Sequence, residues 1–104
     1  MGEFVKVATT GELTPGQAKK VEVDGKVIAL FNLDGSYHAI DDTCPHRGGP
    51  LSTGPVEGQV VTCPWHGSKF DVRSGDVLTA PARTGVSSYR VRVSGSDIEM
   101  EVEA

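Results

Sequence analysis

The sequence predicts an all-β fold of antiparallel strands, and three observations carry that expectation. Thirteen Gly and six Pro punctuate short β-rich runs; two Asp-Gly pairs sit between such runs; and no apolar stripe of helical period reaches a useful length. The candidate strands are Glu3–Ala8, Lys20–Val23, Lys26–Leu33, Ser36–Ile40, Gln59–Thr62, Ser68–Val72, Ser87–Val93 and Asp97–Val102. Asp24-Gly25 and Asp34-Gly35 read as two-residue hairpin turns, because Gly readily takes the positive φ that a type I′ turn requires. They pin the register of the first meander. Near the C-terminus Tyr89, Val91 and Val93 alternate with Arg90, Arg92 and Ser94, which predicts one buried and one wet face. That last hairpin is expected to close the core.

At 104 residues the chain suits one domain with a single modest core, and leaves little room for a ligand pocket. The formal charge of −4 is mild and the cations are scattered, which argues against a nucleic-acid partner. The longest apolar run, Val27-Ile28-Ala29-Leu30-Phe31, is far too short to cross a bilayer. The N-terminus lacks a secretory pattern, and Lys6 stands where a myristoylation signal needs Ser or Thr. The expected location is the cytoplasm, where the two cysteines stay reduced and available to metal rather than forming a disulfide.

Between Asp41 and Pro81 the texture changes to loops rich in Gly, Pro and Ser, with two short strands among them. A stretch of this kind inside a small domain is usually functional and needs something besides a hydrophobic core to hold it. It contains two related segments, Cys44-Pro45-His46-Arg47-Gly48-Gly49 and Cys63-Pro64-Trp65-His66-Gly67-Ser68. Each offers a thiolate, a Pro that fixes φ, an imidazole and a Gly that lets main-chain N–H groups approach bound sulfur. Cys44, His46, Cys63 and His66 thus form a candidate metal site of two sulfur and two nitrogen donors. Two groups fit that donor set. Zinc would take it tetrahedrally as a structural site for protein interaction. Its spacing departs from the finger grouping of two cysteines followed by two histidines, and a [2Fe-2S] centre with two histidines on one iron is the alternative.

The run from Cys44 to Leu51, followed by that from Cys63 to Asp71, closely resembles the Rieske-type ferredoxins, and the likeness extends over essentially the whole chain. The resemblance implies an antiparallel β-sandwich base, here residues 1–40 and 82–104, carrying a small cluster-binding subdomain at residues 41–81. It implies one [2Fe-2S] cluster per chain, with Cys44 and Cys63 on a buried iron and His46 and His66 on an outer iron near the surface. Respiratory relatives carry two further cysteines in a disulfide and a membrane helix. Gly49 and Trp65 take the places of those cysteines here. Ser68 stands where their serine hydrogen-bonds a bridging sulfide, and Phe70 replaces a tyrosine hydroxyl near a cysteine sulfur.

The remaining polar residues read more plainly. His38, after Tyr37 in a predicted strand, is expected to be a strand or surface histidine. Trp65 would shield the cluster, meet a partner or pack between the loops. Pro50 and Leu51 would seat the first loop, Arg47 and Lys69 are surface cations that could meet an acidic partner, and Asp41 and Asp42 are turn or solvated residues. Gly48 and Gly49 make no phosphate loop.

With every coordination position filled by protein or sulfide, catalysis by this chain alone is not expected. The resemblance implies outer-sphere electron transfer from a flavin-dependent reductase to the terminal oxygenase of an aromatic-ring dioxygenase system. The small subunit of an assimilatory nitrite reductase is the alternative. Two ferric ions, two sulfides and two thiolates with neutral imidazoles sum to zero charge, so an electron is added more easily than to an all-cysteine cluster. With the Ser68 hydroxyl kept and one hydroxyl lost at Phe70, protein-film voltammetry should place the potential in the lower or middle part of a family range of roughly −150 to +300 mV. A value at the top of the range would refute that tuning. The potential should also fall with pH at alkaline pH, since reduction weakens the acidity of ligating imidazoles.

Overall fold

The computed structural model describes residues 2–23, 25–43, 50–65, 67–80 and 84–103. Its organising strand is β3 (Lys26–Leu33), the apolar run noted above. Ile28, Ala29, Leu30 and Phe31 are all fully buried. A strand alternates its side chains between two faces, so an unbroken apolar run is stable only where both faces are covered. Ile28 and Leu30 pack with Ala8, Leu13, Val21, Ala39, Ile98 and Met100. Ala29 and Phe31 pack on the other side with Ile40, Leu51, Val61, Cys63, Phe70 and Val72.

Three antiparallel sheets follow from this. The central one has the order β2 (Ala18–Val23), β3, β4 (Ser36–Asp41), β9 (Ser88–Tyr89). Asp34 and Gly35 both have positive φ, 55° and 96°, as a type I′ turn requires, and they hold Leu33 opposite Ser36. Gly25, at φ 80°, turns the preceding hairpin, whose Asp24 lies outside the described residues. A second sheet, β1 (Gly2–Thr9), β11 (Asp97–Glu103) and β10 (Val91–Ser94), covers the Ile28 face. A third, of β5 (Val56–Glu57), β6 (Val60–Thr62), β7 (Lys69–Asp71) and β8 (Val77–Thr79), covers the Phe31 face. Single 3-10 turns lie at Thr10–Glu12 and Leu51–Thr53. Among the described residues no helix is long and apolar enough to cross a membrane.

Two expectations need correction. Among the described residues between Asp41 and Pro81 there are four strands rather than two; β5 and β8, of two and three residues, are too short to show an alternating pattern. The predicted strand Ser87–Val93 is divided at Arg90, because β9 pairs with β4 whereas β10 pairs with β11 in another sheet. Val93 consequently sits at an uncovered edge and is 46% exposed, instead of joining the buried face.

The third sheet is joined tightly to the turn before it. Thr62 donates its N–H to the Pro55 carbonyl at 3.0 Å, and Gly54 lies so close that an added Cβ would stand 1.9 Å from the Thr62 carbonyl oxygen. Gly54→Ala must therefore push two backbones apart. It should destabilise the protein by about 1–3 kcal/mol, the usual cost of overpacking. Gly11→Ala, with nothing within 4 Å, should change stability by under about 0.5 kcal/mol. Equal denaturation midpoints for the two variants would contradict the close approach.

Candidate metal centre

Both predicted ligand segments leave the fold through closed necks. At the end of β4, Asp42 still donates its N–H to the Val27 carbonyl at 3.1 Å, so the chain rides on β3 until the loop begins. Thr43 then bridges Pro50 in antiparallel fashion, and Leu51 returns its N–H to the Asp42 carbonyl at 2.7 Å. The buried Asp42 carboxylate accepts the Ser52 N–H at 2.7 Å. Residues 44–49 depart and return at this one point. They include Cys44, His46 and Arg47, which lie outside the described residues, as does His66.

The second neck is a tight hairpin. Cys63 donates its N–H to the Ser68 carbonyl at 2.7 Å, and Gly67 donates its N–H to the Cys63 carbonyl at 3.0 Å. Gly67 adopts φ 82°, which explains its place in the motif. Its N–H closes the turn on the Cys63 carbonyl. Cys63 is a free cysteine at 2% exposure, and Ser68 is fully buried. Two residues beyond Cys63, Trp65 is 56% exposed. Leu51 and Cys63 belong to one buried cluster, which brings the two necks together on the Phe31 face of β3. Leu51 is thus anchored in the core directly after the first neck.

Of the four predicted ligands, Cys63 is the one the structure places, and its surroundings test the fit. A thiolate buried among Phe31, Ile40 and Phe70 would be costly as a bare anion, and bonding to a metal removes that cost. Phe70 shares this cluster and brings no hydroxyl to the sulfur's side of the core. A buried sulfur donor of this kind suits the core side of an iron-sulfur group.

Asp42 is buried and Asp41 half-buried, so neither is a freely solvated residue. The Tyr89 hydroxyl donates to Asp41 Oδ1 at 2.6 Å, and the Ser87 N–H reaches Asp41 Oδ2 at 3.2 Å, tying β9 to the strand that leads into the first loop. Two carboxylates before a Gly-rich loop gave no sign of these partners. Asn32 was also missed: its buried amide donates to the Leu13 carbonyl and accepts the Gly35 N–H, both at 2.8 Å. His38 lies half-buried in β4 opposite Phe31, as a strand histidine. Burial, followed by the charge of Arg73, holds its pKa below the usual value.

The double-faced β3, the two closed necks and the buried Cys63 define a small β protein built to hold an iron-sulfur centre at one end. The chain belongs to the Rieske [2Fe-2S] domain family, which matches residues 3–90. It is 38% identical to the biphenyl dioxygenase ferredoxin subunit of Pseudomonas sp. strain KKS102, over 91% of this chain and 88% of that one. The ferredoxin of carbazole 1,9a-dioxygenase from Nocardioides aromaticivorans IC177 superposes with a TM-score of 0.90 at 32% identity, covering 93% and 95% of the two chains. A structure described as a complex of reduced oxygenase and oxidized ferredoxin in carbazole 1,9a-dioxygenase matches with a TM-score of 0.87 at 28% identity, covering 93% and 91%. A Mycobacterium tuberculosis chain assigned as the small subunit of an NADH-dependent nitrite reductase matches with a TM-score of 0.90 at 29% identity, covering 100% and 98%.

The Tyr89–Asp41 contact has a titration signature. Burial and then the hydrogen bond to Asp41 push the Tyr89 pKa from 10.0 up to about 12. Because the folded value lies above the unfolded one, the contribution to stability is whole below pH 10 and is lost as the pH rises toward about 12. Denaturation midpoints of the wild-type protein should fall more steeply across that window than those of Tyr89→Phe; parallel profiles would remove Tyr89 from the tie.

Proposed function

We propose that Cys44, His46, Cys63 and His66 hold the single [2Fe-2S] cluster of this Rieske protein, and that the chain carries single electrons to a terminal oxygenase. The observation that carries this reading is the second hairpin, where Cys63 at 2% exposure and Trp65 at 56% are two residues apart. One short turn therefore runs from a dry core to open surface. When bound, the cluster supplies a one-electron couple at iron. Cys63 gives it a thiolate on the core side, Cys44 gives a second from directly beyond the Thr43–Pro50 bridge, and His46 and His66 ligate from the two loops. Buried Ser68 lies at the base of the same turn and tunes the potential from there, while Trp65 presents an apolar surface beside His66. Residues 41–81 act as the cluster-binding subdomain on a base formed by residues 1–40 and 82–104.

The chain itself is a carrier rather than an enzyme. Its acceptor is the terminal oxygenase of an aromatic-ring dioxygenase, a reading supported by the dioxygenase ferredoxins it resembles and by the neighbour whose structure is a complex with an oxygenase. Its donor is a flavin-dependent reductase, and its location is the cytoplasm. A second reading, the small subunit of a nitrite reductase, is supported by the Mycobacterium tuberculosis neighbour. Stable co-purification with a large catalytic subunit would favour that reading over a transient carrier.

The purified protein should show visible absorption and, after dithionite, a rhombic EPR signal of low average g. His46→Cys and His66→Cys should each change that signal or abolish it. Stoichiometric zinc in a colourless protein would sink the proposal, and unchanged EPR in both variants would sink the ligand assignment.

A further inference from the structure

Among the described residues the fold buries one charged side chain, that of Asp42, at 3% exposure. Its carboxylate accepts the Ser52 N–H at 2.7 Å. No lysine or arginine pairs with it among the described residues. Burying a carboxylate without a cation is costly, and the neutral amide of an asparagine could accept the same N–H. The Ser52 contact therefore explains an acceptor at this position but not a charge.

The chain sets this carboxylate beside both ligand segments. Asp42 precedes Cys44 by two residues, so their Cα atoms lie within about 8 Å of each other. Its carbonyl takes the Leu51 N–H at 2.7 Å, and Leu51 packs in the same buried cluster as Cys63. Asp41, one residue back, is half-buried and turned toward β9, where the Tyr89 hydroxyl and the Ser87 N–H engage it. Adding one electron from the donor to a cluster with two thiolates and two neutral imidazoles takes it from neutral to singly negative. A fixed negative charge nearby opposes that step. Its effect is largest in a dry setting, where the effective dielectric constant is low and salt screens little.

We propose that the buried Asp42 carboxylate lowers the reduction potential of the cluster, acting from the base of the first loop as a fixed negative charge that disfavours the reduced state. Asp42 ligates nothing and acts through its field; the role rests on the reading of Cys44 as a cluster ligand. It is a second cause of a low potential, separate from the hydroxyl lost at Phe70. Its consequence for a carrier is direct, because a lower potential makes the reduced protein a stronger donor to its acceptor.

Protein-film voltammetry of the cluster-loaded protein and its variants decides the matter. Asp42→Asn keeps an acceptor for the Ser52 N–H and removes the charge. It should favour reduction at least tenfold, a rise of about 59 mV for one electron, and the rise should persist in high salt. Asp42→Glu keeps the charge and should shift the equilibrium by less than about threefold. Asp34→Asn removes an exposed charge from the turn at the far end of β4, roughly 20 Å away, and should shift it as little. The rhombic EPR signal should survive in all three, reporting intact ligation. The proposal is overturned if Asp42→Asn leaves the potential unchanged or lowers it, if Asp42→Glu raises it equally, or if Asp34→Asn matches it. Should Asp42→Asn fail to load a cluster, Asp42→Ser offers the same N–H a neutral hydroxyl and carries the same expectation. Failure of both to load would assign the charge to assembly and overturn the proposal. Absence of the rhombic signal from the wild-type protein would instead sink the cluster reading itself.

Discussion

Burial of β3 on both faces is the constraint from which the rest of the molecule follows. Four consecutive side chains, Ile28 to Phe31, are removed completely from water. Each large one contributes about 1.5–3 kcal/mol relative to exposure. A two-layer sandwich would satisfy Ile28 and Leu30 and leave Ala29 and Phe31 wet. The third sheet, of strands two to three residues long, covers the face that remains. The same sheet ends in the Cys63 turn, while the 3-10 turn that follows the first loop places Leu51 beside it. Covering Phe31 and bringing Leu51 and Cys63 together are therefore one structural act.

Polar ties then fix what packing leaves loose. Asp42 takes two N–H groups at the mouth of the first loop, one through its carbonyl and one through its carboxylate. Asp41 does comparable work for β9 through Tyr89 and Ser87. A buried N–H without a partner costs about 1–3 kcal/mol, so each acceptor holds its donor at a defined place. For a redox centre this rigidity has chemical value. An electron carrier changes charge at every turnover, and ligands held by a stiff frame need less rearrangement to follow that change.

How much of this was legible in the sequence varied with the physics behind each feature. The first meander was readable because Asp34-Gly35 encodes its turn locally and Lys26–Leu33 is long enough to show its character. The metal motifs were readable because their chemistry lies in residue type and spacing. The roles of Asp41, Asp42 and Asn32 were hidden, since a carboxylate or amide carries no mark of a partner that folding delivers from elsewhere in the chain, 48 residues away for Asp41 and 19 for Asn32. The division at Arg90 was hidden for a related reason. Alternation continues smoothly through Tyr89, Val91 and Val93, yet the sheet to which each belongs is decided by β4 and β11, and Val93 is left exposed.

The second hairpin shows why a metal belongs in this fold. Its two main-chain hydrogen bonds close a turn that holds Cys63 inward and Trp65 outward. Packing alone gives no reason to keep a large indole in water when a smaller polar residue would cost less. A buried thiol fills the space beside Phe31 and Phe70, and it is also a soft donor where alanine would offer none. Both choices make sense if the turn is wrapped around a group whose inner side needs a soft anionic donor in a dry setting, and whose outer side must meet another protein. A low-polarity inner wall keeps water from the sulfur and lets small changes in nearby hydroxyls be felt as shifts in potential. An exposed apolar rim allows brief docking without large charge reorganisation. Burial at this hairpin is thus one-sided: closed toward β3 at Cys63, open at Trp65.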